Sequence, residues 1–307
     1  MLIAKAVVIR FFRALAAVLI VITLVFLVVR LTGDPVRSLV PQNASEEVVE
    51  HYRKLFGLDA PLWQQYLDYL AGLLRGDFGA SYFDADGALN IVAQRIPATL
   101  EIAIPAFILS TLLGLTFGIL AATKPRSPLS RLVSSTAIGF AALPNFLLGI
   151  VLILLLGVRL HWLPTAGNAS FASVIMPVIT MALPPAAILT RVTQTSMLEA
   201  LALPSLAHAQ AIHVSPVRRI LAHALPNAAR PILTIVGFDL AYLVAGSAVV
   251  EALFGWPGIG NLFVQASEQN DYAVVQCIVI LVTVSVVIVH ALTDIAYRLV
   301  DPRVKSS

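Results

Sequence analysis

Apolar residues in this chain gather into long runs; they do not show the alternation of strands or the narrow stripes of soluble helices. Residues 14–29, 97–123, 132–158, 171–192, 231–254 and 273–293 are each apolar with few charges. About 20 such residues cross a bilayer as a helix, so six transmembrane helices are predicted. The fourth run differs in texture, because Pro177, Pro184 and Pro185 interrupt it. Proline is tolerated in a span where neighbouring helices re-satisfy the freed carbonyls, so a kinked helix buried in the bundle is expected there.

Between the first two runs the chain turns polar, with turn signals at Gly33-Asp34-Pro35 and helical patterns over 46–56 and 61–74. This is a small extramembrane cap, too short for a catalytic domain. Its aromatics (Tyr52, Phe56, Trp63, Tyr66, Tyr69, Phe78, Tyr82, Phe83) suit packing along a membrane surface. The basic N-terminal start resembles a signal peptide, but the apolar run is long, no small-x-small cleavage pattern precedes Leu31-Thr32-Gly33-Asp34-Pro35, and further spans follow, so a retained first helix is predicted. Thirteen of the 20 Lys and Arg fall at the two termini and in the connections around 124–131 and 191–230. The cap carries nine acids. By the bias of basic loops, both termini and the stretch 199–231 are expected in the cytoplasm and the cap outside.

Composition narrows the class further. With 307 residues, 59% hydrophobic and 12% charged, the chain has more apolar surface than one soluble domain could hide. The net charge of +3 does not point to nucleic acid, because the basic residues are scattered around the apolar runs and form no stripe. The single cysteine, Cys277, excludes an intramolecular disulfide and lies in an apolar run, where it reads as a small hydrophobe. No histidine pair has the spacing of a helical metal site with a nearby Glu. No G-x-x-x-x-G-K-[ST] motif is present, so this chain carries no phosphate-binding loop of that kind.

An ionisable group inside a span is a functional candidate, because burying charge in hydrocarbon is costly. Glu101, Arg191 and Asp294 lie near span ends and read as interfacial anchors. Asp239 and Glu251 lie inside the fifth run. Twelve positions separate them, which places them about 120° apart around a helix and about 18 Å along it, so they form no paired-carboxylate site. Each either lines a pathway or pairs with a group on another helix. Gly114-x-x-x-Gly118 in the second run would admit a close helix.

Specific motifs then resemble one family, the B-type permease subunits of bacterial ABC importers for dipeptides, oligopeptides, glutathione and nickel. They are Leu31-Thr32-Gly33-Asp34-Pro35, Phe56-Gly57-Leu58-Asp59-Ala60-Pro61, Gly76-Asp77-Phe78-Gly79-x-Ser81 and Pro97-Ala98-Thr99-Leu100-Glu101. The C-terminal third adds 249–260 (VVEALFGWPGIG), Asp271-Tyr272-x-Val274-Val275-Gln276 and Asp301-Pro302-Arg303. The resemblance runs nearly end to end. It implies an importer-type permease fold of six transmembrane helices with a small external cap, in a bacterial inner membrane. It also implies a homologous second permease, two ABC ATPase subunits that carry ATP and Mg, and an external solute-binding protein. This chain itself would be a transport subunit without catalytic residues, bound cofactor or metal. Trp256, Pro257, Gly258 and Gly260 would form an external gate motif, and Asp239 and Glu251 are the pathway candidates.

In such importers a short cytoplasmic coupling helix docks on the ATPase, and here it falls at Leu203, Pro204, Leu206, His208, Gln210, Ile212, His213 and Val214. The resemblance is weakest there: Ala209, Ala211 and Ser215 match, whereas the usual Arg, Lys and Gly are absent. The missing Gly, at His213, marks a helix end that needs a positive φ. Pro204 and Ser215-Pro216 still suit helix starts. Contact through Leu206, His208, Ile212 and His213 is expected in place of the usual cations. The expected division is 1–31 for the N-terminus and first helix, 32–96 for the cap, 97–300 for a five-helix core including the coupling segment 199–230, and 301–307 for a tail. A peptide substrate is the leading expectation. An ion-coupled secondary transporter or channel, motivated by Asp239 and Glu251, is the rival, with nickel or glutathione as alternative cargo.

Overall fold

The computed structural model describes residues 2–32, 36, 40, 44–55, 57–81, 83, 84 and 86–300. Gly33-Asp34-Pro35, Phe56, Tyr82, Asp301-Pro302-Arg303 and the tail 301–307 lie outside the described residues. Among those described, the only strand-like pairing is an isolated bridge between Ala80 and Gly87. The helices are α1 (Leu2–Thr32), α2 (Glu46–Leu55), α3 (Leu62–Leu74), α4 (Ala88–Thr123), α5 (Pro128–Ala142), α6 (Asn145–Leu152), α7 (Phe171–Leu201), α8 (Pro204–Ala211), α9 (Pro216–Arg218), α10 (Leu225–Leu253), α11 (Ile259–Glu268) and α12 (Tyr272–Val300). Two π-helical segments, Ile153–Arg159 and Arg219–Ala224, continue α6 and join α9 to α10.

Among the described residues, four stretches are long and apolar enough to cross a membrane: Phe12–Leu31, Ala88–Thr123, Phe171–Leu201 and Tyr272–Thr293. Two further candidates are bent pairs, Pro128–Ala142 with Asn145–Arg159 at 103° and Pro216–Tyr242 with Gly246–Leu253 at 51°, so the count reaches six if each pair is one span. The third predicted run is therefore not a single straight helix. Its break has a local cause: α5 ends at Ala142, Leu143 is extended (φ −81°, ψ 126°) and Pro144 stands before the first residue of α6. A proline clashes with a helical residue before it, which drives Leu143 out of the α region.

By contact the chain divides into two compact units, Met1–Ala98 with Pro257–Val287, and Thr99–Trp256 with Ile288–Ser307. The first has a core of Ala88, Val92, Ala266, Ala273, Val274, Cys277 and Ile278, against which Phe78, Leu262 and Phe263 pack. The Ser81 hydroxyl donates to the Asp271 carboxylate, tying the chain before α4 to the residue that precedes α12. Cys277 is buried there as the sequence implied.

The second unit is built on α7, whose most apolar window is 72% buried and which packs against α5, α6 and α10. Burial on so many sides matches the expectation for the proline-containing run. Pro177, Pro184 and Pro185 all sit inside α7, which runs through them without interruption. Gly114 and Gly118 of α4 face it: a Cβ at Gly114 would come within 2.6 Å of Leu189, and one at Gly118 within 2.5 Å of Thr193. The small-xxx-small motif is therefore a helix-packing seat, as its spacing suggested. Ser134 of α5 donates to Gln194 Oε1 at 3.0 Å, and the Ser130 hydroxyl donates to the Ala121 carbonyl at 2.9 Å.

Candidate functional site

The chemistry-bearing residues cluster around two helix ends. The first is the C-terminus of α10. Phe254 leaves the helix, Gly255 takes φ +57°, and the Trp256 amide returns to the Glu251 carbonyl at 2.8 Å while the Gly255 amide meets Ala252 at 3.3 Å. Those two bonds are a Schellman stop, and a left-handed residue at that point strongly favours glycine. Phe254 and Trp256 are buried, and the Phe254 carbonyl accepts from the Gly167 amide at 2.8 Å. The motif continues with Pro257, whose carbonyl lies 3.5 Å from Arg95 Nη1, and with Gly258, which immediately precedes α11. Trp256, Gly258 and Gly260 are all buried and Pro257 half-buried.

Glu251, one turn back on α10, is wholly buried, and its Oε1 accepts a hydrogen bond of 2.8 Å from Thr99 Oγ1 on α4. That contact is the geometry of a pairing between helices, one of the two readings open from the sequence. A buried carboxylate needs such a donor. Asp239, more than three turns toward the N-terminus, is also buried, and its Oδ2 has no hydrogen-bond partner among the described residues. The structure does not bring the two carboxylates together, in keeping with their spacing. Nearby on the same helix, Gly237 packs under Thr293 of α12 and the Phe238 ring meets His290 edge-on at 5.7 Å. Among the described residues no group of three or more His, Cys, Asp or Glu is placed to hold a metal ion.

The second cluster is α8. The stretch expected between the fourth and fifth spans narrows to 202–215, because α7 persists to Leu201 and Pro216 already starts the next helix. Pro204 occupies the first turn of α8, where its missing amide costs nothing. Leu206 and Ala209 are buried, Leu206 in a cluster with Met197, Ala200, Ala224 and Ala228. Leu206 is therefore a correction: its side chain seats α8 on this chain and is not available to a partner. Leu203, Pro204, His208, Gln210, Ile212 and His213 are exposed, and Val214 is half-buried.

The helix ends with His213 at φ +58°. The Val214 amide reaches the Ala209 carbonyl at 3.0 Å and the His213 amide reaches Gln210 at 3.1 Å, the same Schellman stop as at Gly255. The positive φ expected at this position is thus present without the glycine. A side chain pays for the left-handed region, so the surrounding bonds must hold it there.

Two residues of these clusters were not singled out as partners from the sequence. Thr99 and Asp271 both stood inside motifs read as family signatures, but nothing in a linear pattern links Thr99 to Glu251 across 152 positions or Asp271 to Ser81 across 190.

Comparison with known proteins decides the family. The sequence pattern described as "Binding-protein-dependent transport system inner membrane component" matches residues 114–306, and the N-terminal pattern of the same group matches residues 3–103. This chain belongs to that family. The permease is 35% identical over 306 residues to a probable peptide ABC transporter permease protein, y4tP, of Sinorhizobium fredii, covering 96% of this chain and 97% of the relative. It is 33% identical over 297 residues to the glutathione transport system permease protein GsiC of Escherichia coli, covering 96% and 97%.

Solved structures agree on the fold. The permease superposes on a chain of the MetNI methionine ABC transporter in an inward-facing conformation with a TM-score of 0.59 at 19% identity, covering 69% of this chain and 96% of that one. An amino acid ABC transporter crystallised with histidines gives 0.55 at 16%, covering 68% and 94%. The all-α fold is therefore that of ABC importer permeases, and the role of this chain as a membrane permease component follows from its family.

Proposed function

We propose that this permease carries di- or oligopeptides, between itself and a homologous second permease, into the cytoplasm. The observation that carries the substrate class is the similarity over 96% of the chain to a probable peptide permease. Glutathione, the cargo in the name of a second relative, is itself a small peptide. Two ABC ATPases and an external solute-binding protein complete the assembly, and ATP with Mg binds on the ATPases. The excess of Lys and Arg at the termini and in the connection after α7 supports a cytoplasmic position for these and an external one for the cap.

Coupling runs through α8, offered to the ATPase by Leu203, Pro204, His208, Gln210, Ile212, His213 and Val214. Its exposed face is apolar and imidazole-bearing, which calls for an ATPase cleft of matching character. Glu251 acts as a pin between α4 and α10 through Thr99. Asp239 is the pathway candidate, because its burial leaves one oxygen unbonded among the described residues. Trp256, Pro257, Gly258 and Gly260 serve the outer gate.

The test is purification of the complex and measurement of vanadate-sensitive ATPase with the binding protein present. Stimulation by peptide-loaded binding protein is the expected result. A chain that never co-purifies with an ATPase, or uptake driven by a proton or sodium gradient without ATP, overturns it. Mass spectrometry of the ligand co-purifying with the binding protein decides between peptide, glutathione and nickel.

A further inference from the structure

Helix α3 presents three faces with three different destinations. One face carries Tyr66 and Tyr69, which grip α1: Phe26 meets the Tyr66 ring at 5.2 Å and the Tyr69 ring at 5.6 Å, and Thr23 Oγ1 and the Tyr66 hydroxyl share a hydrogen bond of 2.6 Å. A second face carries Gln64 and Asp68. The third is apolar: Trp63, Leu67, Leu70 and Leu74 fall within about 60° of arc. Trp63 is 66% exposed, Leu67 55% and Leu74 91%. Leu70 is half-buried, and the other three stand open among the described residues.

The depth of the contact on α1 identifies what does. Thr23 and Phe26 precede Leu31, the end of the candidate span Phe12–Leu31, by eight and five residues. At 1.5 Å per residue these are about 12 and 7.5 Å inside the end of the span. Amphipathic helices lying in a membrane interface bury their apolar face about 5–10 Å below the headgroups, with Trp and Leu on that face. Helix α1 is itself an outlying helix, with only 17% of its apolar window buried, and Leu24, Leu27, Val28 and Leu31 exposed near the contact. A helix clamped at this level beside a lipid-facing span has bilayer, not water, against its open apolar side.

We infer that α3 lies in the interfacial layer of the bilayer and docks on phospholipid through Trp63, Leu67 and Leu74. It thereby anchors the cap to the membrane at the end of the first span. This docking goes beyond the transport reading and does not depend on it: an α3 free of lipid would leave the permease assignment as it stands.

The experiment uses the whole complex in nanodiscs of phosphatidylcholine and phosphatidylglycerol. Tryptophan fluorescence of the wild type is compared with that of Trp63→Phe, which isolates Trp63 from Trp162 and Trp256; Trp63→Tyr provides the same subtraction if the first variant is poorly folded. The Trp63 component is expected to be quenched about twofold more by phosphatidylcholine brominated near the headgroup than by the same lipid brominated near the chain ends, and to resist aqueous iodide. Quenching by iodide without quenching by either bromolipid would place the stripe in water and overturn the inference. Protection from all three quenchers would place it under a second permease or the binding protein, and would overturn it equally.

Discussion

At the scale of single residues, His213 is the informative one. It holds a left-handed conformation at a helix stop where glycine is usual, at a cost of about 1–2 kcal/mol for an L residue. His213→Gly should therefore raise the Tm of the purified permease by relieving that strain, whereas His213→Val, branched at Cβ, should lower it; thermal unfolding in detergent reads both. A second residue-scale prediction concerns the pin at Glu251. Thr99→Val keeps the shape but removes the hydroxyl that donates to Oε1 at 2.8 Å, and one such hydrogen bond contributes about 0.5–1.5 kcal/mol. Loss of Tm in that variant and its recovery in Thr99→Ser is the expected pattern. Tyr69 gives the opposite sign. Its buried hydroxyl has no partner among the described residues, and burial pushes its ionisation well above the usual phenol range. Tyr69→Phe should leave stability unchanged or raise it slightly, by the same measurement.

At the scale of elements, much was legible in the sequence, for identifiable reasons. The glycines of α4 announced close packing, and both meet α7 at distances that admit no side chain. Gly118→Leu should cost about 1–3 kcal/mol or more by forcing α4 and α7 apart, read as lost yield of folded protein in size-exclusion chromatography. The breaks were less legible. Attention falls naturally on the three prolines of the fourth run, yet α7 passes through all of them, while the single Pro144 divides the third run into helices bent by 103°. Local sequence offers the same residue in both places. What differs is the packing, because α7 is held by helices on several sides and its neighbours enforce a continuity that proline alone would oppose. The early start of the fifth span was hidden likewise, since Arg218, Arg219, His223 and Arg230 made residues 216–230 read as a polar connection although they are helical. Candidate partners across the fold, Thr99 for Glu251 and Asp271 for Ser81, carry no signature of their pairing in a linear string.

At the scale of the whole molecule, the proposed function has this permease receive its energy through contact of α8 with an ATPase subunit. Ile212 is the most exposed large hydrophobe at the end of α8, at 61%. Ile212→Asp should leave folding intact, because Leu206 does the seating, and should reduce transport-coupled ATPase in the assembled complex about fivefold or more. Measured ATPase with loaded binding protein checks it; an unchanged rate would remove α8 from the coupling role. The most buried helix of the chain also bears on how such a machine can move. Pro177, Pro184 and Pro185 have no amide to give, so the carbonyls of Ser173, Thr180 and Met181 lack their helical donors in the N-terminal half of α7. Bending α7 at those levels has fewer backbone hydrogen bonds to strain than elsewhere along the helix. A flexure of a few degrees there displaces the far end of a 31-residue lever.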